Sequence, residues 1–190
     1  INRLVNFINT ATAEVIEANA EVMEANATLS RMAITDRLTK LYNRGEIQRR
    51  ITERIEAKKE APDGENATSI IMIDLDDFKH INDTYGHQEG DQVLMRVSDL
   101  IQQRVQGLNT DASAGRWGGE EFMVLLSDEG KQRATKIAER FRESFAALQF
   151  PHGEKITISL GVTEMLIGEG ADRPCIRVDG ALYEAKNSGR

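Results

Sequence analysis

Ten apolar positions in strict heptad register open the chain and divide it in two. Counting by sevens from Ile1 gives Ile1, Ile8, Val15, Val22 and Leu29; counting from Leu4 gives Leu4, Ala11, Ala18, Ala25 and Met32. These are the a and d positions of five heptads, and no Gly or Pro interrupts residues 1–35. Apolarity sustained over that many heptads predicts a coiled coil. β-Branched side chains dominate at a, which favours a parallel pair. Alanine at Ala11, Ala18 and Ala25 makes the seam thin. A thin seam can change register, which suits a signalling linker better than a static strut. The helix would be roughly 50 Å long. The same pattern also permits one amphipathic helix laid on its own domain.

The remaining residues are enough for one domain with a real core, so no disulfide or metal is needed to hold it together. The chain has 190 residues, with Lys and Arg summing to 24, Asp and Glu to 31, and a net charge of −7. An acidic chain is poorly suited to wrapping nucleic acid, whose phosphates need a basic surface. Cys175 is the single cysteine, which excludes an internal disulfide framework and fits a reducing, cytoplasmic setting. No apolar run approaches the roughly 20 residues of a membrane span. The chain begins with Ile1 rather than Met, so it reads as a piece whose upstream part carries a sensor or membrane anchor.

Beyond the stalk the pattern alternates between helix and strand. Asp36 can cap a new helical segment, and Thr39, Asn43 and Gly45 mark a turn before a helix at roughly 45–59. Residues 61–67 form a loop. Ser69–Leu75 is a continuous apolar run ending in acid, which predicts a buried strand. Residues 76–83 predict a short helix and turn, and 88–106 a helix. Residues 112–116 and 121–126 predict a hairpin across Gly118-Gly119. A helix over 130–148, a strand over 155–163 and a helix over 176–187 follow. The order predicts an α/β fold: a mostly antiparallel central sheet flanked by helices, preceded by a long coiled-coil helix.

Two acidic groups stand at strand ends, Asp74-Leu75-Asp76-Asp77 and Glu120-Glu121. A carboxylate at the end of a buried strand is costly unless it is paired or holds a metal. Carboxylate oxygens completed by substrate phosphate describe a Mg²⁺ site, and the same runs also describe solvated acidic turns. Gly118 and Gly119 lack Cβ atoms, so a triphosphate can approach the backbone closely.

Taken together, the strings carry a resemblance. Arg116-Trp117-Gly118-Gly119-Glu120-Glu121-Phe122 resembles the signature of the GGDEF family, the diguanylate cyclases, in its GGEEF form. The stretch from Asp36 to Arg44 resembles the family's DxLTxLxNR segment, and Asp74 to Lys79 its DxDxFK segment. Ile81 to His87 with Gly90-Asp91 resembles INDxxGHxxGD. Ser159 to Val162 resembles SxGV, and Ala181 to Lys186 with Gly189-Arg190 resembles ALYxAKxxGR. The domains expected are therefore a dimerising stalk over 1–35 and a GGDEF domain with a nucleotidyl-cyclase palm-like sheet over 36–190.

The resemblance implies condensation of two GTP into cyclic di-GMP with release of two pyrophosphates. It implies Mg²⁺ or Mn²⁺ held by Asp74, Glu120 and the Leu75 carbonyl. Glu120 or Glu121 would help deprotonate the ribose 3′-hydroxyl, and the two are not separable from sequence. Lys79, Lys186 and Arg190 would stabilise phosphate charge. The backbone at Asp76–Phe78 would cradle the phosphates, with Gly118 and Gly119 leaving room. Asn82 and Asp91 would read guanine, and His87 would orient the Asn82 loop or contact the nucleotide. One domain has one GTP site, so a homodimer through the N-terminal helix is implied.

Other readings stay open. Asn82-Asp83 could be an Asx turn, His87 a packed core histidine, and Asp76 and Asp77 helix caps. Tyr183 is expected to be core. Residues 109–112 lack the Arg and Asp of the family's RxxD product-inhibition site, so inhibition there is not expected. The rival functions are a catalytically silent GTP-binding module and a cyclase making a monocyclic product.

Overall fold

The computed structural model describes residues 15–25, 29, 32–60, 67–108, 111–151 and 153–189. The chain forms two compact units, Ile1–Ile34 and Thr35–Arg190. In the first, residues 15–25, 29 and 32–34 are helical (α1). Val15, Val22, Leu29 and Met32 hold a and d positions there, and all are exposed. Ile16 and Met23, each one place after an a position, are exposed too and widen the apolar stripe. Ile1, Leu4, Ile8 and Ala11 lie outside the described residues.

The second unit is built from α2 (Arg44–Glu60), β1 (Ser69–Leu75), α3 (Phe78–Tyr85), α4 (His87–Gln106), β2 (Ala112–Arg116), β3 (Glu121–Leu126), α5 (Lys131–Ala146), β4 (Ile158–Glu164) and α6 (Asp172–Asn187). The four strands run β2-β3-β1-β4, every neighbouring pair antiparallel. β1 is buried along its whole length because helices cover both faces. Ile71, Ile73, Leu75, Phe122, Val124 and Leu126 pack with α4 and α5 on one face. Ile70, Met72, Met123 and Leu125 pack with α2 and α6 on the other. Burial on both faces is why β1 reads as a continuous apolar run instead of an alternating one.

Local signals set the helix ends. The Glu46 backbone N–H donates to Asn43 Oδ1 at 3.0 Å, so Asn43 caps α2. Asp36 caps a turn rather than a helix: its Oδ1 accepts from the Thr39 N–H at 2.9 Å and the Thr39 hydroxyl at 2.8 Å. Gly86 separates α3 from α4 with φ 85° and ψ 161°, a conformation open essentially only to glycine.

β4, α6 and Tyr183 differ from the sequence expectation. β4 starts at Ile158, not Lys155, because its partner β1 ends at Leu75, opposite Ile158. α6 starts at Asp172 and takes Pro174 into its first turn, where a missing N–H costs nothing. Tyr183 is not core; it is 68% exposed. The buried face of α6 is Pro174, Val178 and Leu182, and one further residue turns the side chain about 100° away.

α6 lies against β4 at Gly161. A Cβ there would stand 2.3 Å from the Val178 carbonyl oxygen and 2.7 Å from the Leu182 nitrogen. Both are backbone atoms of a packed helix and cannot swing aside. Gly161→Ala is expected to destabilise the domain by about 3 kcal/mol. A denaturant midpoint within error of the wild type would contradict that packing.

Candidate active site

The sheet brings the two acidic groups to one edge. Asp74 on β1 stands opposite Glu121 on β3 in the antiparallel ladder. The Leu75 N–H donates to the Glu120 carbonyl at 3.3 Å, tying the end of β1 to the turn before β3. Leu75 itself is buried in the core. Asp74 shares the α2 and α6 side of β1 with Ile70 and Met72, so its carboxylate faces the end of α6. There the Lys186 ammonium lies 2.7 Å from Asp74 Oδ2. The Asp74 side chain is 6% exposed and that of Lys186 36%.

The electrostatics of this edge are those of one cation among several anions. Burial, then the Asp74 charge, raises the Glu120 carboxyl above its ordinary value; Lys186 opposes this and Glu121 adds to it. Glu121 is raised by burial and then by Asp74, with Lys186 opposing, Asp179 adding and Arg44 opposing. Asp179 and Arg44 are contributors the sequence reading did not single out. Arg44 lies over the Trp117 ring, 4.6 Å from its centroid, which holds that cation beside the turn. Among the described residues, no three His, Cys, Asp or Glu side chains form a ready-made metal cage. The donor set still fits a hard cation: carboxylate oxygens, from groups of which Glu120 and Glu121 are raised first by burial and then by the Asp74 charge.

The turn that carries the glutamates is braced by the arginine that opens the signature and, through it, by Asp36. Arg116 Nη2 donates to the Gly119 carbonyl at 2.7 Å, and its Nε to the Gly118 and Gly119 carbonyls, each at 3.2 Å. Arg116 Nη1 also meets Asp36 Oδ1 at 3.2 Å. Burial alone pushes the Asp36 carboxyl upward, but the Thr39 hydrogen bonds and the Arg116 charge outweigh it and hold it below its ordinary value. Two segments 80 residues apart therefore fix one turn. Gly118 is needed for space: a Cβ there would stand 2.5 Å from Glu121 Oε2. At Gly119 a Cβ would meet nothing within 4 Å, so that side of the turn is open.

Asp76 is held by β4 and the residue before it. Its oxygens accept from the Thr157 and Ser159 hydroxyls, both at 2.7 Å. That accounts for the serine of the SxGV stretch, whose only signal in sequence was its place before Gly161. Asp77 adopts φ 53° and ψ 27° and starts α3 without a side-chain cap. Phe78 is a core side chain, so only its backbone is left to face a ligand. Lys79 is exposed on the first turn of α3.

The remaining sequence candidates gather at the α3–α4 corner. Asn82 is half-buried, and a Cβ on Gly90 would come 2.1 Å from its Oδ1. Gly90 thus lets Asn82 lie against the start of α4, next to Asp91. Asp91 and His87 are both exposed, so His87 is not a core residue. Arg190 lies outside the described residues, as do Asn109 and Thr110; Asp111 is exposed and paired with Arg54. A broad surface concavity of about 950 Å³ lies at Gly130–Lys136 and Glu164, and none of the acidic-edge residues lines it.

Residues 33–190 match the family model described as "Diguanylate cyclase, GGDEF domain". A protein from Treponema denticola named diguanylate cyclase A is 38% identical over 166 residues, covering 85% of this chain and 44% of that protein. Diguanylate cyclase VdcA of Vibrio cholerae is 35% identical over 196 aligned residues, covering all of this chain and 53% of that protein. The chain thus spans about half the length, or less, of these curated relatives. Among solved structures, the coiled coil and GGDEF domain of DgcB from Caulobacter crescentus, in complex with c-di-GMP, is similar with a TM-score of 0.81 and 30% identity. That match covers 94% of this chain and 95% of the other. The active GGEEF domain of a diguanylate cyclase from Vibrio cholerae matches with a TM-score of 0.71 and 34% identity, over 79% of this chain and 94% of that one.

Proposed function

Because the chain belongs to the GGDEF family of diguanylate cyclases, we propose that it condenses two GTP into cyclic di-GMP and two pyrophosphates, each domain of a homodimer holding one GTP. The observation that carries this reading is the acidic edge itself, Asp74 beside Glu120 and Glu121 with Lys186 facing them. Asp74, Glu120 and the Leu75 carbonyl would hold Mg²⁺ or Mn²⁺, which when bound neutralises triphosphate charge and acidifies a nearby hydroxyl. Glu120 or Glu121 accepts the proton of the ribose 3′-hydroxyl. The freed oxygen forms a bond to the α-phosphorus of the GTP on the facing domain, and the bond to pyrophosphate breaks. Lys79, Lys186 and Arg190 stabilise the departing charge. Two such steps close the ring, and each needs the other domain held in line.

The stalk supplies that second domain. Its exposed apolar stripe at Val15, Val22, Leu29 and Met32 supports pairing with the same stripe of a second copy. An upstream sensor acting through the thin seam in a cytoplasmic setting is the matching regulation. Among the described residues no helix is long and apolar enough to cross a membrane. Product inhibition at residues 109–112 is not part of this reading.

Guanine recognition falls to Asn82 and Asp91 at the α3–α4 corner. A carboxylate accepts from guanine N1–H and the exocyclic amine, a pattern adenine lacks. Asp91 is exposed, so the base must cover it before discrimination is large. Asp91→Ser is expected to lower the GTP-to-ATP preference in kcat/KM at least about tenfold. An unchanged preference would remove Asp91 from base reading. Incubation with GTP and Mg²⁺ tests the whole proposal: cyclic di-GMP supports it, while cyclic GMP or unreacted GTP rejects it.

A further inference from the structure

The Lys186–Asp74 contact joins two residues that the proposed chemistry sends to different partners, one to phosphate and one to the divalent cation. The contact is a charge-assisted hydrogen bond of 2.7 Å to a nearly buried carboxylate. A buried carboxylate needs a compensating charge. Lys186 supplies it from the last turn of α6, and its ammonium also lowers the burden of Glu120 and Glu121. The lysine is partly exposed and carried on a flexible four-carbon stem, so its head can leave Asp74 without moving the helix.

We propose that Lys186 is a tethered counter-ion that competes with divalent cations for Asp74, so that the metal binds well only when a polyphosphate draws the ammonium away. This rests on the proposed metal and phosphate roles of these residues. A divalent cation approaching Asp74 meets a positive charge already seated on Oδ2. A polyphosphate offers that charge another partner, and the carboxylate then turns to the metal. By linkage the metal must strengthen polyphosphate binding by the same factor. The device would keep a hydrated metal from occupying the edge without substrate.

The test is Mn²⁺ binding followed by electron paramagnetic resonance, with no nucleotide and no turnover. Lys186→Met should bind Mn²⁺ at least about tenfold more tightly than wild type, while Lys186→Arg, which keeps the charge, should bind as weakly as wild type. Equal or weaker binding by Lys186→Met overturns the proposal. Circular dichroism verifies the fold of each variant. Should Lys186→Met fail to fold, Lys186→Gln, which also removes the charge, takes its place and should likewise bind Mn²⁺ at least about tenfold more tightly than wild type. In equilibrium dialysis at equal free Mn²⁺, inorganic tripolyphosphate should raise protein-bound Mn²⁺ by a larger factor for wild type than for the charge-free variant. An equal rise in both overturns the proposal. A wild type that makes cyclic di-GMP yet binds Mn²⁺ alone just as tightly sinks only this inference; a wild type that makes no product sinks the catalytic reading and leaves the metal titration standing.

Discussion

Glu120→Gln and Glu121→Gln are each expected to lower the rate of cyclic di-GMP formation by about a hundred- to ten-thousandfold, and each is expected to make the protein more stable at neutral pH. The activity loss follows from chemistry: an amide neither accepts the 3′-hydroxyl proton nor offers the charge that a hard cation requires. The stability gain follows from the cluster. Both glutamates are raised above their ordinary value of 4.5, first by burial and then by Asp74. A raised carboxyl binds its proton more tightly in the fold than in the unfolded chain. Stability is therefore lost as pH rises from the ordinary value through the folded one, and the ionised cluster remains a cost at pH 7. Glutamine removes the charge. Both groups are partly exposed, so solvent screens the effect and the expected gain in Tm is only roughly 2–4 °C. Melting curves at pH 4 and pH 7 measure it, with the difference between variant and wild type shrinking at the lower pH. The acid limb of wild-type activity should lie above the ordinary glutamate range, since the working form is ionised. A variant that loses activity and stability together would mean that the glutamates hold the fold rather than do chemistry.

Removing residues 1–34 should leave a folded domain that turns over poorly at low concentration. The second unit, Thr35–Arg190, contains the whole sheet and both of its helical layers. What it would lack, on the proposed reading, is a fixed partner. A coiled coil replaces random encounter by an effective concentration in the millimolar range, so at micromolar protein the loss is about a hundredfold or more. The rate per domain should then rise with protein concentration for the truncated form and stay flat for the intact chain. Sedimentation gives the matching mass: a dimer with the stalk and a monomer without it. Equal specific activity at all concentrations would remove the stalk from catalysis. The thin alanine seam adds a second test. Cysteines placed at successive a positions and crosslinked should trap registers of different activity, and indifference to register would end the switching idea.

How much of this was legible depends on what each residue answers to. β1 was readable from Ser69–Leu75 because burial on both faces leaves a continuous apolar run, and the hairpin from the Gly pair between two short strands. The α2 start was readable within one residue because Asn43 caps it locally. Distances across the fold were not. Lys186 and Asp74 are 112 positions apart, and nothing in either string says that they meet. The Asp36–Arg116 brace and the Asp76–Ser159 latch are of the same kind. Tyr183 was misread because an aromatic beside Leu182 looks like core, while the helix turns it outward. Asp91, which the resemblance assigns to guanine, is exposed, and on the proposed reading it would be covered only by the base itself. Composition set a looser limit. The acidity that argues against polymeric nucleic acid is, on the proposed reading, what would give a triphosphate and its cation a place to bind at this edge.

The most direct measurement is the product formed when the intact chain is incubated with GTP and Mg²⁺ and the mixture is separated by chromatography and mass spectrometry. The account predicts cyclic di-GMP, with two pyrophosphates for each molecule formed. Cyclic GMP, or GTP bound and returned unchanged, would contradict it.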